Sequence, residues 1–460
     1  MSVDYATTDR TVDILVAEIG STITKVNAFA LTPYPQLLAH GEKPTTVGAG
    51  DVNFGLQAAM TAMAIFLGKE QSRVFGDIPM WASSSAAGGL RMTVHGLVYD
   101  MTVRAAREAA LGAGAILHLT TAGKLTSGEL DRIKEINPGI ILLTGGVEHG
   151  DKETVIHNAQ LLAWLRLSTP VIYAGNSAAR QEVSRAFNGL TQRLIIVDNV
   201  YPRLDELNIE PTRRVIQQIF EEHIIVAPGM HRITQTVTGK IMPTPGAVME
   251  AAKLLAKEIG DLMVIDIGGA TSDVHSVTEG SEEITRILIA PEPVAKRTVE
   301  GDLGLFVSAP NVIELIGRDV LVRELGFAID DLPENPIPRS TEEKELTLCL
   351  ARGIVSIAVR RHVGRINYRY GPTGRIAIAE GKDLTQVKWI IGTGGFLSCQ
   401  PEGRAILGAV RAKEPQTELL PPAGAKILID NDYIMSSAGV LAEKYPAQAL
   451  ALLKQSLGLQ

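Results

Sequence analysis

The sequence predicts an α/β protein of duplicated two-domain architecture, with an α/β segment inserted in its first half. Three observations carry this. A compact core stops growing beyond about 250–300 residues, and the chain has 460. Two Gly-tipped β-hairpins recur about 248 positions apart, with Gly20 answered by Gly268. Between about 76 and 200, apolar strands alternate with helical stretches, the pattern of βαβ units and a parallel sheet.

The first hairpin is Asp13 to Phe29. An apolar run reaches Ile19, meets Gly20-Ser21-Thr22, and leaves as a second β-rich segment from Ile23. The second is Leu262 to Val277, with Gly268-Gly269-Ala270-Thr271 at its tip. Superposed, they pair Val16 with Val264, Glu18 with Asp266, Ile19 with Ile267, Thr24 with Ser272 and Val26 with Val274. Two apolar strands ending in Thr-Gly-Gly, at Thr144-Gly145-Gly146 and Thr393-Gly394-Gly395, share nearly the same offset and read as a second matched pair.

The remaining elements follow from local signals. Asp51 caps a helix holding Val52, Gln57, Met60 and Met63, with Gly68 near its end. Val103–Leu111 and Ser127–Ile136 read as helices, and Ile140–Thr144, Val171–Ala174 and Leu194–Asp198 as buried strands. Glu250–Ile259 is helical and leads into the second hairpin. Asp330–Pro338 is a loop, and Ser340-Thr-Glu-Glu343 is a capping box opening a helix to about Ile366. A Pro421-Pro422 turn precedes the strand Lys426–Ile429. Asp432–Lys444 and Ala447–Leu457 close the chain as helices with Pro446 between them. The expected division is a first domain in 1–75, the inserted segment in 76–205, the first domain's return and a connecting helix in 206–260, a second domain in 261–430, and C-terminal helices in 431–460.

Composition narrows the function. Net charge is −7, which disfavours nucleic acid or an anionic membrane as partner. The two cysteines, Cys349 and Cys399, cannot build a disulfide scaffold or a four-thiolate metal site. The N-terminus lacks a signal-peptide pattern, and no apolar run reaches the ~20 residues of a membrane span, so a cytoplasmic protein is expected. Glycine stands at 44 of 460 residues, above the roughly 7% of average proteins.

The tips explain part of that excess. A tip opening with Gly brings backbone N–H groups and small hydroxyls close to phosphate oxygens. An acidic residue at the preceding strand's exit can hold Mg²⁺ through water, because Mg²⁺ dehydrates reluctantly. Glu18 and Asp266 occupy those positions. Two facing tips would clamp a polyphosphate, and a Gly-Gly turn before a helix could lie against a nucleoside. There is no Walker A motif and no dinucleotide fingerprint.

These elements resemble the actin-like ATPases, the ribonuclease H-like superfamily of actin, heat-shock chaperones and sugar and acetate kinases. Glu18-Ile-Gly-Ser-Thr-Ile-Thr-Lys25 resembles the first phosphate loop and Asp266-Ile-Gly-Gly-Ala-Thr-Ser-Asp-Val274 the second. Ile390-Ile-Gly-Thr-Gly-Gly395 resembles the adenosine loop, and Ser436-Ser-Ala-Gly-Val-Leu-Ala442 the second connecting motif. Glu18 replaces the usual Asp, and Ala270 replaces a Gly frequent in chaperones. Across the chain from about residue 12, the sequence is similar to the glutamate mutase L family. Ser83–Met92, Ala110–Ala115, Leu142–Gly146, Tyr173–Asn176 and Arg297–Gly304 carry that similarity. It implies an ATPase that reactivates an adenosylcobalamin-dependent mutase or aminomutase by releasing damaged cobalamin, with ATP and Mg²⁺ as cofactors. The expected partner is a mutase or aminomutase subunit, with a homodimer as an option, and neither nucleic acid nor membrane.

The candidate residues divide by role. Glu18 and Asp266 are the Mg²⁺ and catalytic carboxylates, against a plain turn-capping role. Gly20, Ser21, Thr22, Gly268, Gly269, Ala270 and Thr271 are phosphate contacts. Thr24 and Lys25 follow the first tip, and Lys25 either reaches a γ-phosphate or is a solvated strand residue. Gly392, Gly394 and Gly395 are nucleoside contacts. Asp302, with Glu300, could orient the attacking water or serve turn chemistry around Gly301. Asp273 could instead satisfy backbone groups. His149, His157 and His275 show no ligand spacing, and Cys349 reads as core. The rival functions are a small-molecule kinase on the same fold, an iron–sulfur electron-passing activator, and a nucleotide-binding scaffold without turnover.

Overall fold

The computed structural model describes residues 11–459, apart from 47–49, 69–77, 86–89, 114, 205, 225–228, 240, 330–335, 372–373 and 413–416. Most of the Asp330–Pro338 loop and part of the Ser83–Met92 stretch lie outside the described residues.

Two five-stranded sheets repeat one topology. The first contains β1 (Ile14–Ile19), β2 (Ile23–Ala30), β3 (Gln36–Pro44) and β4 (Met80–Ser84). The chain then departs through β5 (Leu90–Gly96), β6 (Ala115–Ala122), β7 (Ile140–Leu143), β8 (Val171–Tyr173) and β9 (Leu194–Ile196). It returns at β10 (Ile241–Pro243), giving the order β10-β4-β1-β2-β3. The second sheet holds β11 (Leu262–Ile267), β12 (Ser272–Val277) and β13 (Ala295–Glu300). A separate hairpin, β14 (Arg365–Gly371) and β15 (Gly374–Glu380), precedes β16 (Trp389–Thr393) and β17 (Lys426–Ile429). The second order is β13-β12-β11-β16-β17. In each sheet three antiparallel strands continue into two parallel ones.

That topology corrects one expectation. The counterpart of β16 is β4, since each lies parallel to the first strand of its hairpin. The Thr144-Gly145-Gly146 turn follows β7, which belongs to the inserted sheet β6-β5-β7-β8-β9. Its offset from Thr393 is a coincidence of local grammar: any buried strand that turns sharply favours Gly at its end. The inserted sheet is parallel throughout, as the βαβ alternation predicts.

Local signals set most boundaries. The Asp51 carboxylate accepts the Asn53 N–H at 2.8 Å, opening helix Asn53–Phe66. Ser340 and Glu343 form the predicted capping box, but the helix ends at His362, because β14 begins at Arg365 and pairs with β15. Pro446 is the first residue of helix Pro446–Leu457, where its missing N–H costs nothing.

The halves are joined by one buried layer. Ile14, Val16 and Phe29 of the first sheet and Val264 and Ile391 of the second pack against helices Thr244–Ile259, Met435–Ala442 and Pro446–Leu457. Helices Thr244–Ile259 and Met435–Ala442 cross with backbones touching: a Cβ on Gly439 would stand 1.8 Å from the Ala247 carbonyl. The inserted sheet shares its core with the first, through Leu15 and Ala17 beside Met92 and Val94. None of the described helices is long and apolar enough to cross a membrane.

Candidate functional site

The two hairpin tips have the same turn. The Gly20 N–H donates to the Ile23 carbonyl at 3.0 Å, and the Gly268 N–H to the Thr271 carbonyl at 2.9 Å. They also meet. A Cβ on Gly269 would lie 2.7 Å from the Thr22 Oγ1. Beside this contact is a cavity of about 330 Å³. Gly20, Ser21, Thr22, Gly268, Gly269, Ala270 and Thr271 line it, with Glu18 and Asp266. Gly395, Phe396, Cys399, Gln400, Ile337 and Tyr433 form another part of its wall. A larger groove, about 1000 Å³, runs along Lys253 and Lys257 at the end of the second sheet opposite its tip, and none of the tip residues line it.

The carboxylates differ in their surroundings. Glu18 is buried; its Oε2 accepts from the Ser436 hydroxyl at 2.5 Å and lies 3.3 Å from Lys25 Nζ. Asp273 is held by Arg297 at 2.8 Å. Among the described residues, no hydrogen bond or ion pair engages the Asp266 carboxylate. Burial, together with the charges of Asp273, Glu18 and Asp430, pushes its pKa up to about 8, with Lys25 opposing. This converging negative charge, on hard oxygen donors, suits a divalent cation. No group of three or more His, Cys, Asp or Glu able to hold a metal occurs among the described residues, so water and phosphate would complete the shell.

Four sequence candidates lie elsewhere. Lys25 pairs with Glu18 across the β1–β2 ladder; its ammonium donates to the Tyr433 carbonyl and stands 3.0 Å from that ring's centroid. It does not line the cavity, so it neither reaches into the site nor is solvated. Thr24 is buried and bonded to the Thr45 hydroxyl at 2.8 Å. Gly392 is mid-strand, and a Cβ there would strike Leu407, Ile429 and Leu397 in the core. Asp302 is gripped by Arg361 through two bonds of 2.8 and 3.0 Å, which holds its carboxyl below the usual range. Glu300 takes the same guanidinium at 2.6 Å. Asp302 does not line the cavity between the tips, so the role of orienting water is not assigned to it. Gly394, at φ +90°, stands against Ile267 and the Asp266 carboxylate.

Other residues were not foreseen. Tyr433 adopts φ +49° and caps the Lys25 ammonium with its carbonyl. Asp430 is buried, accepting from the Thr393 and Ser456 hydroxyls at 2.8 and 2.6 Å and from the Ile434 and Met435 N–H groups. It ties β16 to the start of helix Met435–Ala442. The signal was present, an Asp at a strand's end before a helix. The next acid, Asp432, carries the same signal in the sequence, whereas the helix starts at Met435.

Two sheets of one topology, opposed Gly tips over two carboxylates and a shared layer of connecting helices define the fold of the actin-like ATPases. The MutL protein family matches residues 14–457. Protein MutL of Clostridium tetanomorphum is 39% identical over 461 residues, covering 96% of this chain and 98% of that protein. The chain belongs to the MutL (glutamate mutase L) family. Among solved structures, nucleotide-free acetone carboxylase is similar at a TM-score of 0.44 and 12% identity, over 94% of this chain and 70% of that one. A nucleotide-free diol dehydratase-reactivating factor gives 0.36 at 11% identity, over 96% and 98%. A glycerol dehydratase reactivase gives 0.33 at 12%, over 93% and 99%.

Proposed function

We propose that the chain hydrolyses ATP between the two tips and uses the cycle to reactivate an adenosylcobalamin-dependent mutase or aminomutase, driving release of damaged cobalamin. The contact of Gly269 with Thr22 carries the reading of the site, because it sets both tips within reach of one polyphosphate. Backbone N–H groups and hydroxyls of Gly20–Thr22 and Gly268–Thr271 would hold phosphate oxygens. Gly395 would lie against the nucleoside, beside Phe396 and Gln400. Asp266 and Glu18 would hold Mg²⁺ through water, and the ion supplies charge stabilisation at the transferring phosphoryl group. Lys25 and the Ser436 hydroxyl hold Glu18 in place. A γ-phosphate can bridge the tips and its loss ends the bridge, so ATP and ADP favour different cleft states. Family membership supports the mutase as partner.

Two measurements test this. Adding the protein with ATP to an inactivated adenosylcobalamin mutase should restore turnover while labelled phosphate appears in water. Label moving to a metabolite would instead favour the kinase reading. Cys399 is exposed and lines the cavity, whereas Cys349 is buried, and the chain has no other cysteine. Saturating ATP should therefore slow alkylation of Cys399 about tenfold or more. Unchanged labelling would remove nucleotide from this cavity.

A further inference from the structure

We propose that Arg297 is a positioning residue, the centre of a charged latch through which the nucleotide cleft sets the position of the inserted segment. The proposal rests on the reading of the cleft as a nucleotide site.

The latch lies where the inserted segment touches the second half. Strand β13 is the outer strand of the second sheet, and helix Arg104–Gly112, between β5 and β6, packs against it. Arg297 on β13 is buried at 1% exposure. One arm of its guanidinium donates to Asp273 at 2.8 Å, and the other to the Leu111 carbonyl at 2.9 Å. Asp273 lines the cavity, on the strand leaving the second tip. Leu111 closes the helix, where a cation suits the helix dipole. Beside this bond Lys296 lies 3.4 Å from Glu108 and 2.8 Å from Glu292, and Arg104 pairs with Glu292.

An apolar helix face would suffice to cover an edge strand. Buried charges there add little net stability over apolar packing, but they make each partner costly to lose. The guanidinium fork is planar and rigid, so it cannot follow Asp273 and Leu111 in different directions. The inserted sheet shares its core with the first half, so closure of the cleft would move that sheet relative to β13. Such motion must shear this contact, and a charged contact resolves into discrete arrangements instead of sliding. Two buried atoms, Arg297 Nε and Glu108 Oε2, have no hydrogen-bond partner among the described residues, which leaves capacity for a second arrangement.

Hydrogen–deuterium exchange with and without ATP tests the latch, read alongside Cys399 alkylation on the same full-length protein. ATP should shield Cys399 and change exchange in residues 104–112. In Arg297→Lys, which keeps the charge but reaches one partner, that ATP-dependent change should fall at least threefold while Cys399 stays shielded. Glu108→Gln, which keeps shape and removes only a carboxylate, should weaken it in the same direction and guards against misfolding of the first variant. An unaltered response in both variants overturns the latch. Shielded Cys399 with an unresponsive 104–112 also overturns it while leaving the nucleotide reading intact. An unshielded Cys399 overturns the nucleotide reading and the latch with it.

Discussion

Asp266→Asn is expected to lower ATP turnover at least about 100-fold, the scale seen when one preorganised electrostatic group leaves a reaction centre. The same variant should unfold at no lower temperature than the parent in the absence of nucleotide. The two effects have one cause. Asp266 sits in a wall shared with Glu18 and Asp273, has no hydrogen-bond or ion-pair partner among the described residues, and is pushed from 3.8 up to about 8. A carboxyl raised in the folded state weakens the nucleotide-free fold progressively as pH climbs between those values. Removing the charge relieves that cost and leaves the amide shape in place. A structural turn carboxylate would behave oppositely, losing stability and keeping turnover. Steady-state phosphate release and thermal unfolding of both proteins decide it, and a variant that retains turnover would end the Mg²⁺ assignment.

The difference between Asp266 and Glu18 was not visible in the sequence, where both end a buried strand before Gly. The hairpins were legible because their signal is local: an apolar strand, a Gly turn, and a second strand. The capping box at Ser340 and the parallel inserted sheet were legible for the same reason. What failed depends on pairing. Thr144-Gly145-Gly146 and Thr393-Gly394-Gly395 read alike, and only strand order shows that β16 answers β4. Lys25 follows a phosphate-loop tip, yet its ammonium is taken by Tyr433, 408 residues away. Asp302 looks free in a Gly-rich turn until Arg361 arrives from a distant helix. Gly392 belongs to a glycine motif, but the core side chains of Leu407 and Leu397 occupy the space beside it. In each case a side chain's partner, not its own type, decides its role.

Gly269→Ala is expected to reduce turnover about tenfold or more, and Thr22→Gly to restore much of the loss. The added Cβ would stand 2.7 Å from Thr22 Oγ1, 2.8 Å from its Cγ2 and 3.2 Å from its Cβ. Rotating the threonine exchanges its oxygen for its methyl and leaves the clash, so the tips must separate. A γ-phosphate bridging both tips then loses bonds on one side, and misplacement of reacting groups by less than 1 Å is costly in rate, up to about 100-fold at 1 Å. ADP has no γ-phosphate, so its affinity should change less than the rate. Thr22→Gly empties the contested space at some cost of its own. The informative quantity is therefore the double-mutant cycle. If the tips work as a clamp, the Gly269→Ala penalty shrinks by about 1.4 kcal/mol or more in the Thr22→Gly background, a tenfold coupling. Equal penalties in both backgrounds would mean that the two tips act independently and that their contact is incidental to catalysis.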